Sequence, residues 1–477
     1  MLAYHAGIPR ITGGFIGVDV FFVISGFLIT GLLLLEIETD GSINFIAFYA
    51  RRARRLLPAA LIVILVTLVL SAVILPSVIF SGVGGDAAAS ALYVSNYRFA
   101  LAATDYFSLG VQSPLLHYWS LGVEEQFYLF WPVLILFGWR LLGRARLPWL
   151  ILAVTIVSFV LSVVITGIQA PWAFYSLPTR AWQLGLGALI ALGWLTLPKS
   201  WPVLTATLAG LGGLALILAA TFLIKTSTPY PGWAALAPAA GAALVVASGE
   251  RRGSIAARLL SIAPARWIGR ISYSLYLWHW PLLILIPAAL GRGDPITKVV
   301  LAIASIGVAH LSTRFIEQPF RSASWSRLTP ARVLGLAGGG SVFVAGLAVV
   351  AMLFTLGAPP PPTVVTGDLT GKGAKPTLPA PILSGPLPSD IQPPLNSAYL
   401  DLPALYAARC SLAALDVQPV NCIYGVPSAS TTVVVYGDSH AAQWMPAIDA
   451  IGKVRLWRIV LLIKTGCPAV NLTVYFA

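Results

Sequence analysis

The stretch His117-Tyr-Trp-Ser-Leu-Gly-Val-Glu-Glu-Gln-Phe-Tyr-Leu-Phe-Trp131 sets a histidine, a serine and two carboxylates into an otherwise apolar segment. At 100° per residue, His117, Ser120, Glu124 and Trp131 fall within about 60° of one another on one stripe of a helix. An imidazole that titrates near neutrality, sharing a face with a carboxylate, can form an acid/base or orienting pair. The plainer reading is an interfacial helix end whose charged side chains reach back to water.

Other chemistry-bearing residues lie in similar surroundings. His5 stands near the start, His279 lies within Ser272-Tyr-Ser-Leu-Tyr-Leu-Trp-His-Trp280, and His310 comes four residues before Arg314. A lone histidine in an apolar run is often a satisfied structural side chain, yet an ionisable group at the centre of a membrane span costs roughly 2.5 kcal/mol or more and so invites a functional reading. Tyr276 and His279 join His117, Ser120 and Arg180 as candidates to line a substrate pore. Arg180 falls at the end of its segment where topology does not call for a basic residue. Arg51, Arg52, Arg54 and Arg55 form a cluster that anchors a helix end or, through the planar guanidinium fork, holds the phosphates of an anionic ligand.

A different chemistry is suggested by Val433-Val-Val-Tyr-Gly-Asp-Ser-His440. A serine at the end of a strand and the start of a helix exposes its hydroxyl beside backbone N–H groups, as nucleophilic acyl transfer requires. The same turn could equally be an ordinary strand-to-helix junction capped by Asp438 or Ser439. His440 adjoins the serine too closely in sequence to act as its base, so a partner must come from elsewhere. No zinc-ligand spacing, Walker or Rossmann glycine pattern, or internal repeat occurs, so no metal is expected and ATP-driven and nicotinamide chemistry are unsupported.

The elements that must position these residues follow from composition. Of 477 residues, 58% are hydrophobic and only 10% charged, too little charge for the surface of a soluble protein. A mean hydropathy of +0.85 agrees. Apolar runs predict ten membrane helices, at 15–37, 56–76, 117–138, 148–168, 180–196, 203–224, 232–248, 271–290, 296–316 and 333–356. Alternating them across a bilayer puts 17 Lys and Arg on one side and 6 on the other up to residue 356, which makes the basic side cytoplasmic. The net charge of +13 is thereby explained as topology, and no nucleic-acid partner is expected.

Residues 357–394 hold eleven prolines and read as an extended tether. From about 400 the composition is that of an α/β domain, with strands at 431–436 and 457–463 and helix from 441. The expected organisation is a membrane domain over 1–356, a Pro-rich extracytoplasmic linker over 357–399 and part of an outer domain over 400–477. All three cysteines, Cys410, Cys422 and Cys467, lie in that outer domain. A Cys410–Cys422 bridge is expected there, with three buried free thiols as the alternative.

Taken together, Tyr4-His5, the run Gly14–Thr30, Tyr49-Ala-Arg-Arg-Ala-Arg-Arg55, Trp119–Tyr128, Tyr273–Pro281, Glu317-Gln-Pro-Phe-Arg321 and Gly437-Asp-Ser-His440 resemble the acyltransferase type 3 family of bacterial membrane O-acyltransferases, in the form fused to a C-terminal SGNH (GDSL-like) domain. The resemblance implies a polytopic helical membrane bundle plus a partial extracytoplasmic SGNH-like α/β domain, in the bacterial inner (cytoplasmic) membrane. It implies transfer of an acyl group, usually acetyl, from cytoplasmic acyl-CoA to a hydroxyl of a surface glycan or lipid-linked sugar, of the lipopolysaccharide O-antigen or peptidoglycan class. Within it His5 matches the family's essential histidine, Arg52 and Arg55 its Arg-x-x-Arg element, and Glu124 its pore glutamate. The catalytic set expected is His5, Glu124 and Ser439, with Arg51, Arg52, Arg54 and Arg55 binding acetyl-CoA. The family's first-helix arginine and the Asp-x-x-His pair of its SGNH domain have no counterpart here, so the native chain is expected to extend at both ends and to have eleven spans. An exporter of a glycan or small acid, or a membrane-anchored esterase, are the alternative functions.

Overall fold

A computed structural model describes residues 1–75, 77–102, 112–198, 200–249, 254–291, 293–321, 328–357, 403–408, 410–412 and 422–464. Contacts divide the chain into two units, Met1–Ala358 and Pro359–Ala477. The expected linker beyond residue 357, together with Lys199, Arg251, Arg252, Arg292, Arg327, and Cys467, lies outside the described residues.

The first unit is all helical. Its elements are α1 (Leu2–His5), a 3-10 turn (Gly14–Ile16), α2 (Gly17–Asp40), α3 (Phe45–Ile74), α4 (Ser77–Ala91), α5 (Ser95–Leu101), α6 (Tyr118–Leu142), α7 (Leu147–Ile168), α8 (Ala170–Tyr175) and α9 (Leu177–Ala191). They continue with α10 (Val203–Leu223), α11 (Leu236–Gly249), α12 (Ile255–Leu260), α13 (Ala263–Leu290), α14 (Pro295–Ser312), a π-helical turn (Thr313–Glu317), α15 (Gln318–Arg321) and α16 (Pro330–Gly357). Seven helical stretches among the described residues are long and apolar enough to cross a membrane: Gly14–Asp40, Phe45–Ile74, Leu147–Ile168, Val203–Leu223, Ala263–Leu290, Pro295–Arg321 and Pro330–Leu353. The protein is a multi-pass membrane protein.

That count differs from the ten spans expected. Helix α6 has 25 residues, but Glu124 and Glu125 interrupt its apolar run. Helices α9 and α11 have only 15 and 14 residues, shorter than the roughly 20 a straight crossing needs. In the other direction, α4 was not foreseen, because its Gly, Ala and Ser content is less apolar than a Leu-rich span. Those small residues serve packing instead: a Cβ on Gly84 would come 2.9 Å from Cβ of Met352 on α16.

Small residues also set the helix pair that matters most for the site. A side chain on Gly26 of α2 would collide with the Leu184 carbonyl of α9, and one on Gly187 of α9 with the Val23 carbonyl of α2. The two backbones therefore touch, as in close membrane helix pairs. The surrounding core holds Phe22, Leu33, Trp119, Val123, Trp131 and Trp182, all buried. A second core joins α3, α4, α13 and α16 through Val63, Ile64, Ala87, Leu277 and Ala348.

The second unit is a small α/β layer. It contains α17 (Ala404–Ala407), β1 (Ser411–Leu412), β2 (Cys422–Gly425), β3 (Thr431–Gly437), α18 (Ser439–Gln443), α19 (Met445–Arg455) and β4 (Trp457–Lys464). β4 is central. β3 runs parallel to it from Thr431↔Trp457 to Gly437↔Ile463, β2 is antiparallel from Cys422↔Leu461 to Gly425↔Arg458, and β1 is parallel at Ser411↔Ile463. Alternate residues Ile459, Leu461 and Ile463 are buried, the period-2 pattern of a strand with one covered face. Cys410 and Cys422 form a disulfide that ties β1 to β2, in agreement with the bridge expected.

Candidate active site

The stripe on α6 carries two polar clusters, and each has its own partners. Glu124 is 4% exposed. Ser25 of α2 donates to Glu124 Oε1 at 2.7 Å, and Nη2 of Arg52 on α3 lies 3.6 Å from the same oxygen. The Arg52 guanidinium stacks on Tyr128, with Cζ 3.7 Å from the ring centroid, and the Tyr128 hydroxyl bonds Ser25. Three helices thus hold one buried carboxylate, which would be costly without such partners.

The second cluster is a set of imidazoles. Pro281 has no N–H, so the Leu277 carbonyl lacks its usual helical partner, and His117 Nε2 donates to it instead at 3.1 Å. Tyr276 donates to the His117 carbonyl at 2.7 Å, and Ser120 bonds the Tyr276 hydroxyl at 2.5 Å. His279 Nδ1 faces the Leu275 and Tyr276 carbonyls at 3.0 and 2.8 Å. Carbonyls only accept, so Nδ1 carries the proton of neutral His279 and Nε2 is its acceptor. His5 Nδ1 lies 3.0 Å from that Nε2 and must donate. The basic nitrogen of His5 is therefore Nε2, selected by a neighbour in the way a base is oriented in a catalytic triad. The two rings stack, 5.2 Å between centroids, with Trp280 edge-on to His5 at 4.7 Å.

A cavity of about 400 Å³ runs between α2, α3, α6 and α13. Of the residues singled out in the sequence, Arg52, Arg55, Ser120, Glu124 and Tyr276 line it, opposite an apolar wall of Phe21, Ile24, Leu28 and Leu32. His117, His279 and His5 do not line it and connect to it through Tyr276. Among the described residues no bond joins Glu124 to His5 or to His117: the carboxylate faces Ser25 and Arg52, the imidazoles face one another. Arg51 is exposed and paired with Glu36 at 3.0 Å, and Arg54 is half-buried away from the cavity, which leaves Arg52 and Arg55, three residues apart on one helix face, as its basic end.

Arg180 corrects an expectation. It was expected to face substrate, but it is 1% exposed and does not line the cavity. Its Nη1 donates to Asp19 Oδ1 at 3.0 Å and its Nε to the Phe174 carbonyl at 2.9 Å, while Tyr230 donates to Asp19 Oδ2 at 2.5 Å and Gln183 bonds Oδ1. Rings of Trp119, Phe174 and Tyr230 enclose the guanidinium. The pair bolts α2 to α9 seven residues ahead of Gly26 in the one helix and of Gly187 in the other. Replacing Arg180 by leucine is expected to cost about 3–5 kcal/mol in equilibrium unfolding in mixed micelles, because it strands a buried carboxylate. The double replacement Asp19→Leu/Arg180→Leu is expected to recover most of the loss, and a single variant costing under about 1 kcal/mol would show the pair to be solvated.

In the second unit, Ser439 opens α18 directly after β3, half-buried, with Asp438 as the cap accepting from the His440 N–H at 2.9 Å. That backbone bond holds the Asp438 carboxyl below its usual range. His440 is exposed and turns its ring to Asp438, Nδ1 to Oδ1 3.2 Å. Among the described residues no hydrogen bond joins an imidazole to Ser439, and the His440 ring faces Asp438.

A model described as an acyltransferase domain matches residues 2–314, and one described as the SGNH domain fused to such domains matches residues 409–476. The chain belongs to the acyltransferase type 3 family. Among curated relatives of this family member, the peptidoglycan O-acetyltransferase OatA of Listeria monocytogenes is 35% identical over 339 residues, covering 67% of this chain and 53% of that one. The putative peptidoglycan O-acetyltransferase YrhL of Bacillus subtilis is 36% identical over 335 residues, 68% of this chain and 53% of its own, and the O-acetyltransferase OatA of Staphylococcus aureus is 33% identical over 332 residues, 67% and 55%. The chain spans about half the length of the curated relatives it matches. No solved structure matches.

The acyltransferase type 3 match contains both polar clusters and the cavity between the four helices. Several residues of that site were not singled out in the sequence. Tyr128 and Tyr273 stand four and three residues from Glu124 and Tyr276, the spacing that shares a helix face, so periodicity could have found them. Asp19 is an acid within an apolar span, and the cost of such groups marks it as surely as it marks Glu124. Ser25 carried no such signal, since a serine inside a membrane helix can satisfy itself on its own backbone.

Proposed function

We propose that this protein takes an acetyl group from acetyl-CoA at the arginine-rich, cytoplasmic end of the cavity and delivers it outward, where Ser439 carries it as an ester to a hydroxyl of peptidoglycan. The observation that supports this most is the continuous lining of one cavity: Arg52 and Arg55 at one end suit phosphates, Glu124 holds Arg52 in place, and Tyr276 links the lining to the His279–His5 pair. In the membrane step His5 Nε2 takes the proton of a carrier hydroxyl brought to the imidazole pair, the new C–O bond forms as the thioester C–S bond breaks, and His5 returns the proton to the CoA sulfur; the acetyl then passes to the Ser439 hydroxyl, which frees the carrier hydroxyl. His279 keeps the His5 proton on Nδ1 throughout. In the outer step a glycan hydroxyl attacks the Ser439 ester and regenerates the serine. Peptidoglycan is favoured as acceptor over lipopolysaccharide because the curated relatives of similar sequence bear that substrate in their names.

Mass spectrometry of cell-wall fragments from cells with and without the full-length gene tests the reading. Acetylated sugars are expected only with the gene. Wall sugars acetylated equally in both, with acetyl appearing on another surface glycan, would assign a different acceptor.

A further inference from the structure

A second cavity, of about 200 Å³, opens on the outer surface of α13 and α14, away from the acyl-transfer cavity. Trp267 and Arg270 reach it from one face of α13, His310 from the last turn of α14, Thr313 and Arg314 from the π-helical turn, and Gln318 from α15. Two arginines thus border one small space. Among the described residues neither of them forms a salt bridge. The nearest acid in sequence, Glu317, is buried and bonded to Ser274 and Thr313, and it does not line the cavity. A space bordered by two arginines and by no carboxylate suits an anion.

The rim says which kind. Trp267 packs against His310, 5.9 Å between ring centroids, and tryptophan belongs at the level of lipid headgroups. Leu311 and Phe315, on the same stretch as His310 and Arg314, are 55% and 65% exposed, an apolar surface suited to acyl chains, with the Arg314 guanidinium 5.5 Å from the Phe315 ring centroid. π-helical turns are also frequent at functional sites. We infer that this cavity binds the phosphate of an anionic phospholipid of the phosphatidylglycerol class on the arginine-rich side of the membrane, with its chains along Leu311 and Phe315. Arg270 and Arg314 grip the phosphate as charge-assisted donors, and Gln318 offers hydrogen bonds to the headgroup.

Native mass spectrometry of the full chain, released from micelles doped with phosphatidylglycerol or phosphatidylcholine, tests this. Phosphatidylglycerol adducts are expected to survive on the parent protein and to fall at least about fivefold in Arg270→Gln/Arg314→Gln, with intermediate losses in each exposed single variant. Arg258→Gln, on the same side but outside the cavity, is expected to keep them. Equal retention by the double variant, or equal retention of phosphatidylcholine, would overturn the site. Displacement of the lipid by inorganic phosphate or CoA would assign the cavity to a soluble anion instead.

Discussion

Replacing His5 by alanine is expected to lower acetyl transfer by roughly 10²–10⁴-fold, the usual worth of a positioned general base. The effect should fall on the rate with unaltered helix content, since His5 closes α1 and alanine is a good helix former there. His279→Phe offers the sharper comparison. It keeps the His5 ring and its Trp280 neighbour but removes the acceptor that holds the proton on Nδ1. A loss of roughly ten- to a hundredfold is expected, with the pH profile displaced, because His5 would then sample both tautomers. Transfer assays with labelled acetyl-CoA across pH read both numbers. If His5→Ala retained full activity, the imidazole cluster would be structural and the base would have to be sought along the cavity wall, at Glu124.

Ser439→Ala is expected to abolish glycan acetylation, by about a thousandfold or more, because removal of a nucleophile leaves no covalent route. The sheet of the second unit should stand unchanged: the helix cap is Asp438, not Ser439, so the turn between β3 and α18 keeps its bond to the His440 N–H. The two variants are expected to fail at different points. Ser439→Ala stops after the membrane step, whereas His5→Ala slows the departure of acetyl from CoA itself. Glycan acetylated at the parent rate by Ser439→Ala would mean that acetyl passes from the cavity to glycan without the serine ester.

Much of this is legible in the sequence, for specific reasons. The α6 stripe was readable because a 100° rotation per residue is fixed by the backbone, so Ser120 and Glu124 could be assigned a shared face from spacing alone. The β3–turn–helix context of Ser439 was readable because β-branched runs and a Gly-Asp-Ser turn are local signals. What failed was non-local. Arg180 carries its charge openly, but its partner Asp19 lies 161 positions away, and nothing in either segment says that Gly26 and Gly187 let those helices touch. The His117–Glu124 pairing failed for a similar reason: Pro281 on another helix frees the Leu277 carbonyl and claims the imidazole. Helix α4 was hidden because residues that pack helices closely in a membrane are not the ones that score as most apolar.

The most direct test is one of sidedness. Full-length protein reconstituted in vesicles, with the arginine-rich face outward, would be given labelled acetyl-CoA outside and a soluble peptidoglycan fragment inside. Label on the enclosed fragment, absent with His5→Ala, is the expected result. Label only when donor and fragment share one face would contradict transfer through the cavity.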